Sequence, residues 1–224
     1  VAGLKSTASG VKNILGGVGI DSALAREILE EMTHALPIVS ATRHPLGFAH
    51  LELTNIVGGS FRTRLHLWTK ETAAWADDLG SLHDHTWDLR SAVLTGGLTD
   101  IYLEPRQDPS GPFGAYQIEY GNDGNTTVQL DGRWSLDERE VRTVRQGDIY
   151  ELRPRAVHCT TVERFPTATL VIAKDIGGPG PKVFLPGAAG EMPAGERAEL
   201  DPDWMLMALR QAVESLSGRA GDRP

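Results

Sequence analysis

From about residue 38 to residue 184 the chain is a succession of short β-like runs: FAHLELTNIV, SFRTRLHLW, RSAVLTGG, LTDIYLE, AYQIEYG, TTVQLDG, EVRTVRQG, DIYELRP, AVHCTTV and ATLVIAK. Turn signals separate them, among them Pro109-Ser110-Gly111-Pro112, Asp123-Gly124, Asp131-Gly132 and Gln146-Gly147-Asp148. Many short strands with no helical pattern between them cannot build a parallel α/β sheet, which needs a helix at each crossover. They predict an all-β fold, an antiparallel sandwich or barrel.

Helical patterns are confined to the two ends. Asp21 or Ser22 can cap DSALAREILEEMTHAL, in which Leu24, Ile28, Met32 and Leu36 recur at helical spacing. Near the other end Asp201 as cap and Pro202 as first helical residue open PDWMLMALRQAVESL, with Met205, Leu209, Val213 and Leu216 along one side. The expected organisation is a helical segment over 1–37, a β-barrel over 38–185, and a linker with a C-terminal helix packed on the barrel over 186–224. The Gly/Pro-rich stretch 177–195, GGPGPKVFLPGAAGEMPAG, reads as the loop tying barrel to tail rather than as a phosphate cradle, since no Gly-Lys-Ser/Thr ending follows.

Composition narrows the partners. The 22 basic and 30 acidic residues give a formal charge of -8, with no Lys/Arg cluster interleaved with aromatics, so nucleic acid and anionic membrane are excluded as expected partners. No stretch approaches the roughly 20 apolar residues of a membrane span, and VAGLKSTASG does not read as a signal peptide. Cys159 is the only cysteine, which rules out an internal disulfide and fits a reducing compartment. The expectation is a cytoplasmic protein, monomer or homodimer, acting on a small molecule.

Within the strand run, LGSLHDHTWDLRSAVLTGGL holds two histidines one residue apart. On an extended strand His83 and His85 point one way and Asp84 the other. Two neutral imidazoles on one face can share a metal ion, and the same pattern also fits an ordinary wetted strand.

The wider spacing bears on that choice. His83-x-His85 is followed by three residues, Leu89, six residues and Gly96, which resembles the first cupin motif, where HxH precedes a glutamate and then a glycine. Leu89 stands where the glutamate would be. GDIYELRPRAVH is similar to the second cupin motif, with Gly147, Pro154 and His158 in order and the proline-to-histidine interval one residue short. The resemblance implies a small β-barrel of the jelly-roll type and a metal held by His83, His85 and His158. Three neutral imidazoles leave the full divalent charge on the ion, so the site should attract anionic chelating ligands and keep positions open for substrate.

Within the cupins the chain resembles the cysteine dioxygenase-like thiol dioxygenases, on the strength of NIVGGSFRTRLHLW, HDHTW, LTGGL and AVHCTTV, over roughly residues 50 to 175. That likeness implies ferrous iron, with dioxygen as co-substrate and cysteine or a related small thiol or amino acid as substrate; nickel, zinc and manganese are the alternative metals. Departures from the family are Thr54, where its carboxylate-binding arginine is expected, Leu89, where some members carry a cross-linking cysteine, and ATLVIAKD, which lacks a Ser-His-Tyr series. They point to a specialised, natural-product type of biosynthetic role.

SFRTRLHLW has two open readings. Either Phe61, Thr63, Leu65 and Leu67 face the core while Arg62, Arg64, His66 and Trp68 face water, or the Trp68 side lines the pocket. On the second, Arg64 replaces the missing carboxylate clamp, with Arg62 and Trp68 beside the substrate and His66 as acid or base. Tyr150 is a further catalytic candidate if its phenol points inward. Trp87 packs beside the site, and Cys159 points away from the metal as a buried small hydrophobe. Two other functions compete with an oxygenase: an oxygen-independent metal-dependent isomerase or lyase, and a non-catalytic small-molecule-binding cupin.

Overall fold

The computed structural model describes residues 4–36, 39–53, 56, 61–76, 82–121, 124–187 and 198–217. Thr54 lies outside the described residues. Two helices precede the strands, α1 (Lys5–Leu15) and α2 (Ser22–Ala35). The second is the expected one, with the Asp21 side chain accepting from the Leu24 amide at 2.8 Å. The first has no side-chain cap of its own, and Glu31 on α2 caps it instead, accepting from the amides of Ser6 and Thr7 at 2.7 and 2.8 Å. Gly10 lets the helices meet, since a Cβ there would lie 2.7 Å from Ile28 Cδ1.

The strands are β1 (Ala41–His44), β2 (Phe48–Glu52), β3 (Phe61–Trp68), β4 (Leu82–His83), β5 (Trp87–Gln107), β6 (Phe113–Gly121), β7 (Gly124–Arg145), β8 (Ile149–Leu152), β9 (Val157–Asp175) and β10 (Lys182–Pro186). A short helix, α3 (Lys70–Ala73), follows β3, and α4 (Pro202–Ser215) closes the described chain. The predicted all-β architecture with flanking helices is present. Four corrections follow from pairing. RSAVLTGG and LTDIYLE form one continuous strand, β5, as do the paired runs of β7 and β9. Gly96, at φ +78°, bends β5 within a series of register shifts from Val93 to Thr99 without ending its ladder with β9. The segment expected to be only a loop, 177–195, contributes β10 through KVFLP, its apolar run obscured by flanking Gly and Pro.

The sheet closes on itself. β9 pairs with β4, β4 with β10, β10 with β6, β6 with β7, β7 with β5, and β5 with β9 again, all antiparallel. The far halves of β5 and β9 leave this circuit to form a second layer in the order β1-β2-β3-β9-β5-β8. These shared, bent strands give the small barrel of the jelly-roll type. Leu82, Leu103, Ala115, Trp134, Val157 and Phe184, drawn from all six strands of the circuit, pack together. By alternation His83, Tyr102, Tyr116, His158 and Val183 take the other face.

Helices α1, α2 and α4 cover the outer face of the second layer. Ile14, Ile28, Met32 and Leu209 pack with Leu51, Leu65, Leu67 and Leu170 in one buried cluster. Each such side chain contributes about 1.5–3 kcal/mol by leaving water. Among the described residues no helix is long and apolar enough to cross a membrane.

Candidate metal centre

His83 ends β4 and His158 is the second residue of β9, and the two are register partners across the ladder. Cross-strand partners share a face, so the pairing brings the rings together. His85 follows two residues on, with its carbonyl accepting from the Arg155 amide at 2.9 Å. Asp84 points the opposite way, as the alternation predicts, and is 2% exposed. Its amide donates to the Lys182 carbonyl at 2.9 Å, its Oδ1 accepts from the Lys182 amide at 2.7 Å, and Arg155 Nη1 stands 3.7 Å away. This clip fixes the HDH backbone against β10. Burial raises the Asp84 carboxyl above its ordinary value, opposed by the Lys182 amide and Arg155.

Each of the three histidines offers a ring nitrogen within 4.8 Å of the others. Ring centroids are 4.7 Å apart for His83 and His85, 4.8 Å for His83 and His158, and 5.1 Å for His85 and His158. The Nε2 atoms of His85 and His158 are 3.0 Å apart. Two nitrogens bound at right angles to one ion, each at about 2.1 Å, are separated by about 3.0 Å. The donor set therefore fits a single transition-metal ion. Burial first, then His83 and His158, hold the His85 imidazole well below its ordinary pKa and so in the neutral form a metal needs.

The two readings of β3 resolve because both its faces are covered. Thr63, Leu65 and Leu67 lie buried under the helices. Arg64, His66 and Trp68 turn to the opposite side, toward the histidines: Arg64 lies over the Trp87 ring at 5.1 Å, and Arg64 and His66 both act electrostatically on His85. Trp68 is buried, while Arg62, nearer the strand start, is exposed. The water-facing reading is thus overturned for Arg64, His66 and Trp68. Arg64 Nε is 3.3 Å from Glu52 Oε2, and His50 Nε2 is 3.5 Å from the same oxygen. His66 packs against Phe48, His50 and Trp68, with centroids at 4.5, 5.6 and 5.8 Å.

Tyr150 is buried on β8 opposite Ser91, with Leu89, Val93, Leu152 and Val171 around it. Burial raises its phenol, with the hydroxyls of Ser91 and Thr169 acting the other way. Leu89 belongs to the same apolar cluster, so no carboxylate stands at that motif position. Cys159 is only half-buried rather than buried, because it faces away from His158 on a thinly covered part of β9; burial and Asp100 push its thiol up.

The sequence reading missed Asp100, Glu52 and His50. Asp100 is fully buried on β5, with Oδ1 3.6 Å from His158 Nδ1. It carries no motif, and only the β5–β9 register brings it here. A strand bearing polar residues at alternate positions, T-D-I-Y and H-L-E, is the signal that one face of each is not ordinary core.

No family model matches the chain, and no curated protein matches it. Solved structures do. A structure of the DMSP lyases RdDddP and RnDddQII aligns at TM-score 0.41 and 16% identity, covering 79% of this chain and 76% of that one. A variant oxalate decarboxylase of Bacillus subtilis aligns at TM-score 0.36 and 11% identity over 61% of this chain, which spans 27% of its length. Hydroquinone 1,2-dioxygenase PnpCD, with bound Cd2+ and 4-hydroxybenzonitrile, aligns at TM-score 0.31 and 11% identity, over 53% and 60% of the two chains.

Proposed function

We propose that the protein is a metal-dependent enzyme of the cupin type, a thiol dioxygenase-like oxygenase that uses ferrous iron at His83, His85 and His158 to oxidise cysteine or a related small thiol. The observation that supports it is the donor set: three imidazoles converge, with the Nε2 atoms of His85 and His158 3.0 Å apart, and among the described residues no carboxylate belongs to the cluster. Ferrous iron in that set supplies a divalent anchor for a thiolate and the means of activating dioxygen. Both oxygen atoms end on sulfur, so the product is a sulfinate and no external reductant is consumed.

The remaining work falls to the chain itself. Arg64 binds the substrate carboxylate by its fork, releasing Glu52, which has His50 at 3.5 Å as its second partner. Trp68 and Trp87 wall the pocket and exclude water. His66 holds or accepts the proton of the substrate amine or thiol. Tyr150, with its phenol kept protonated by burial, serves as a hydrogen-bond donor on the same inner face. Arg62, at the exposed end of β3, acts in drawing anionic substrate to the entrance.

The test is anaerobic loading with ferrous iron, addition of cysteine, exposure to oxygen, and mass spectrometry alongside an oxygen electrode. A product heavier by two oxygen atoms with matching oxygen uptake is expected. Turnover of small substrates without oxygen uptake, on zinc, nickel or manganese, would replace this reading with the isomerase or lyase one. Ligand binding without any turnover would leave a binding protein.

A further inference from the structure

We propose that Asp100 is the positioning carboxylate of the metal centre, holding His158 in the tautomer that presents Nε2 to the ion. The inference rests on the three-histidine reading above and adds a residue to it. Asp100 is 0% exposed, in the part of β5 where Tyr102 is the register partner of His158 and Asp100 that of Thr160. Its Oδ1 accepts from the Thr160 hydroxyl and lies 3.6 Å from His158 Nδ1. Asp100 Oδ2 and His158 Nδ1 are both buried without a hydrogen-bond partner.

A buried carboxylate oxygen and a buried ring nitrogen left unpaired are each costly, and such pairs are retained where they do something. A neutral imidazole carries one proton. Because Nε2 of His158 faces His85 and Nδ1 faces Asp100, the carboxylate draws that proton to Nδ1 and leaves the Nε2 lone pair for the metal. The placement also answers the loss at Leu89. Negative charge absent from the coordination sphere is returned one imidazole further out, which keeps an open position on the ion for an anionic ligand while making His158 a stronger donor.

The test measures zinc affinity by chelator competition in the full chain and in Asp100→Asn and Asp100→Ala, with nitrogen-15 NMR of the His158 ring in the zinc-loaded protein. Wild type should bind one zinc with the His158 proton on Nδ1. Both variants should bind about tenfold to a hundredfold more weakly, with the Nδ1 proton signal shifted in Asp100→Asn and lost to exchange in Asp100→Ala. Circular dichroism checks that each variant is folded, and should the alanine variant unfold, the asparagine variant decides. Affinity within twofold of wild type in the folded variants would overturn the role of Asp100 while leaving the centre standing. A wild-type chain that binds no zinc would overturn the centre and this inference with it.

Discussion

The indole Nε1 of Trp87 lies 3.2 Å from Nδ1 of His85. An indole N–H can only donate, so that ring nitrogen accepts and the His85 proton sits on Nε2, directed at His158 Nε2. A metal ion needs that Nε2 lone pair, so the Trp87 bond competes with metal binding. Trp87→Phe keeps an aromatic face for Arg64 and removes the donor. Zinc or iron affinity should rise by about two- to tenfold, the worth of one net hydrogen bond. A chelator titration showing weaker binding in the phenylalanine variant would reverse this account of the tautomer.

Alanine at His83, His85 or His158 should each lower metal affinity by at least about tenfold, since even losses behind the ligands have that effect. Metal analysis of protein purified without added metal is the measurement, and full retention in all three variants would disprove the assignment.

The Glu52–Arg64 pair offers a test of the proposed substrate clamp. Arg64→Lys should raise KM for an anionic substrate roughly tenfold with metal content unchanged, as an ammonium cannot reproduce the guanidinium fork. Glu52→Gln should lower KM, because the internal competitor for Arg64 is gone. Steady-state kinetics of the two variants in parallel distinguish a clamp from a purely structural ion pair, for which both changes would leave KM alone.

The pH dependence of the metal-free protein follows from His85. Its folded pKa lies below its ordinary value of about 6.5. Between the two values the unfolded chain binds more protons than the folded one, so stability rises with pH across that window and is complete above it. Urea midpoints of chelator-treated protein should therefore fall as pH drops below about 6.5, and His85→Gln should flatten the fall. A slope of the opposite sign would mean that the ring is charged in the fold.

At the N-terminus, Glu31→Ala removes the cap of α1 and should destabilise the chain by about 0.5–2 kcal/mol, measured by urea unfolding, with metal affinity unaffected.

The histidines were legible because their motif is local: HDH needs only the alternation of a strand, and His158 follows Gly147 and Pro154 at near-regular intervals. Helix α1 was not legible. It carries Ser6, Thr7, Ser9 and Gly10, poor helix formers, and the carboxylate that caps it comes from α2. RSAVLTGG and LTDIYLE read as two runs because a Gly-Gly pair is a usual strand break, yet the ladder continues through Gly96. The inward face of β3 could not be chosen from alternation alone, since helices cover one side and the interior the other. Asp100 depends on a pairing between strands some sixty residues apart, as the 60-residue separation from Thr160 shows, and no local pattern announces it.

Strand β4 is two residues long, and among the described residues its ladder with β9 consists of a single pair, His83 with His158. The cylinder is thus buttoned at its narrowest seam by two of the three candidate metal ligands. A metal seated there is a rivet as well as a reagent: it ties the β4 and β9 edges where only one rung of backbone pairing joins them. Emptying the site should loosen that seam before any other, so amide exchange around Leu82 and Val157 becomes a gauge of occupancy that needs no substrate and no turnover.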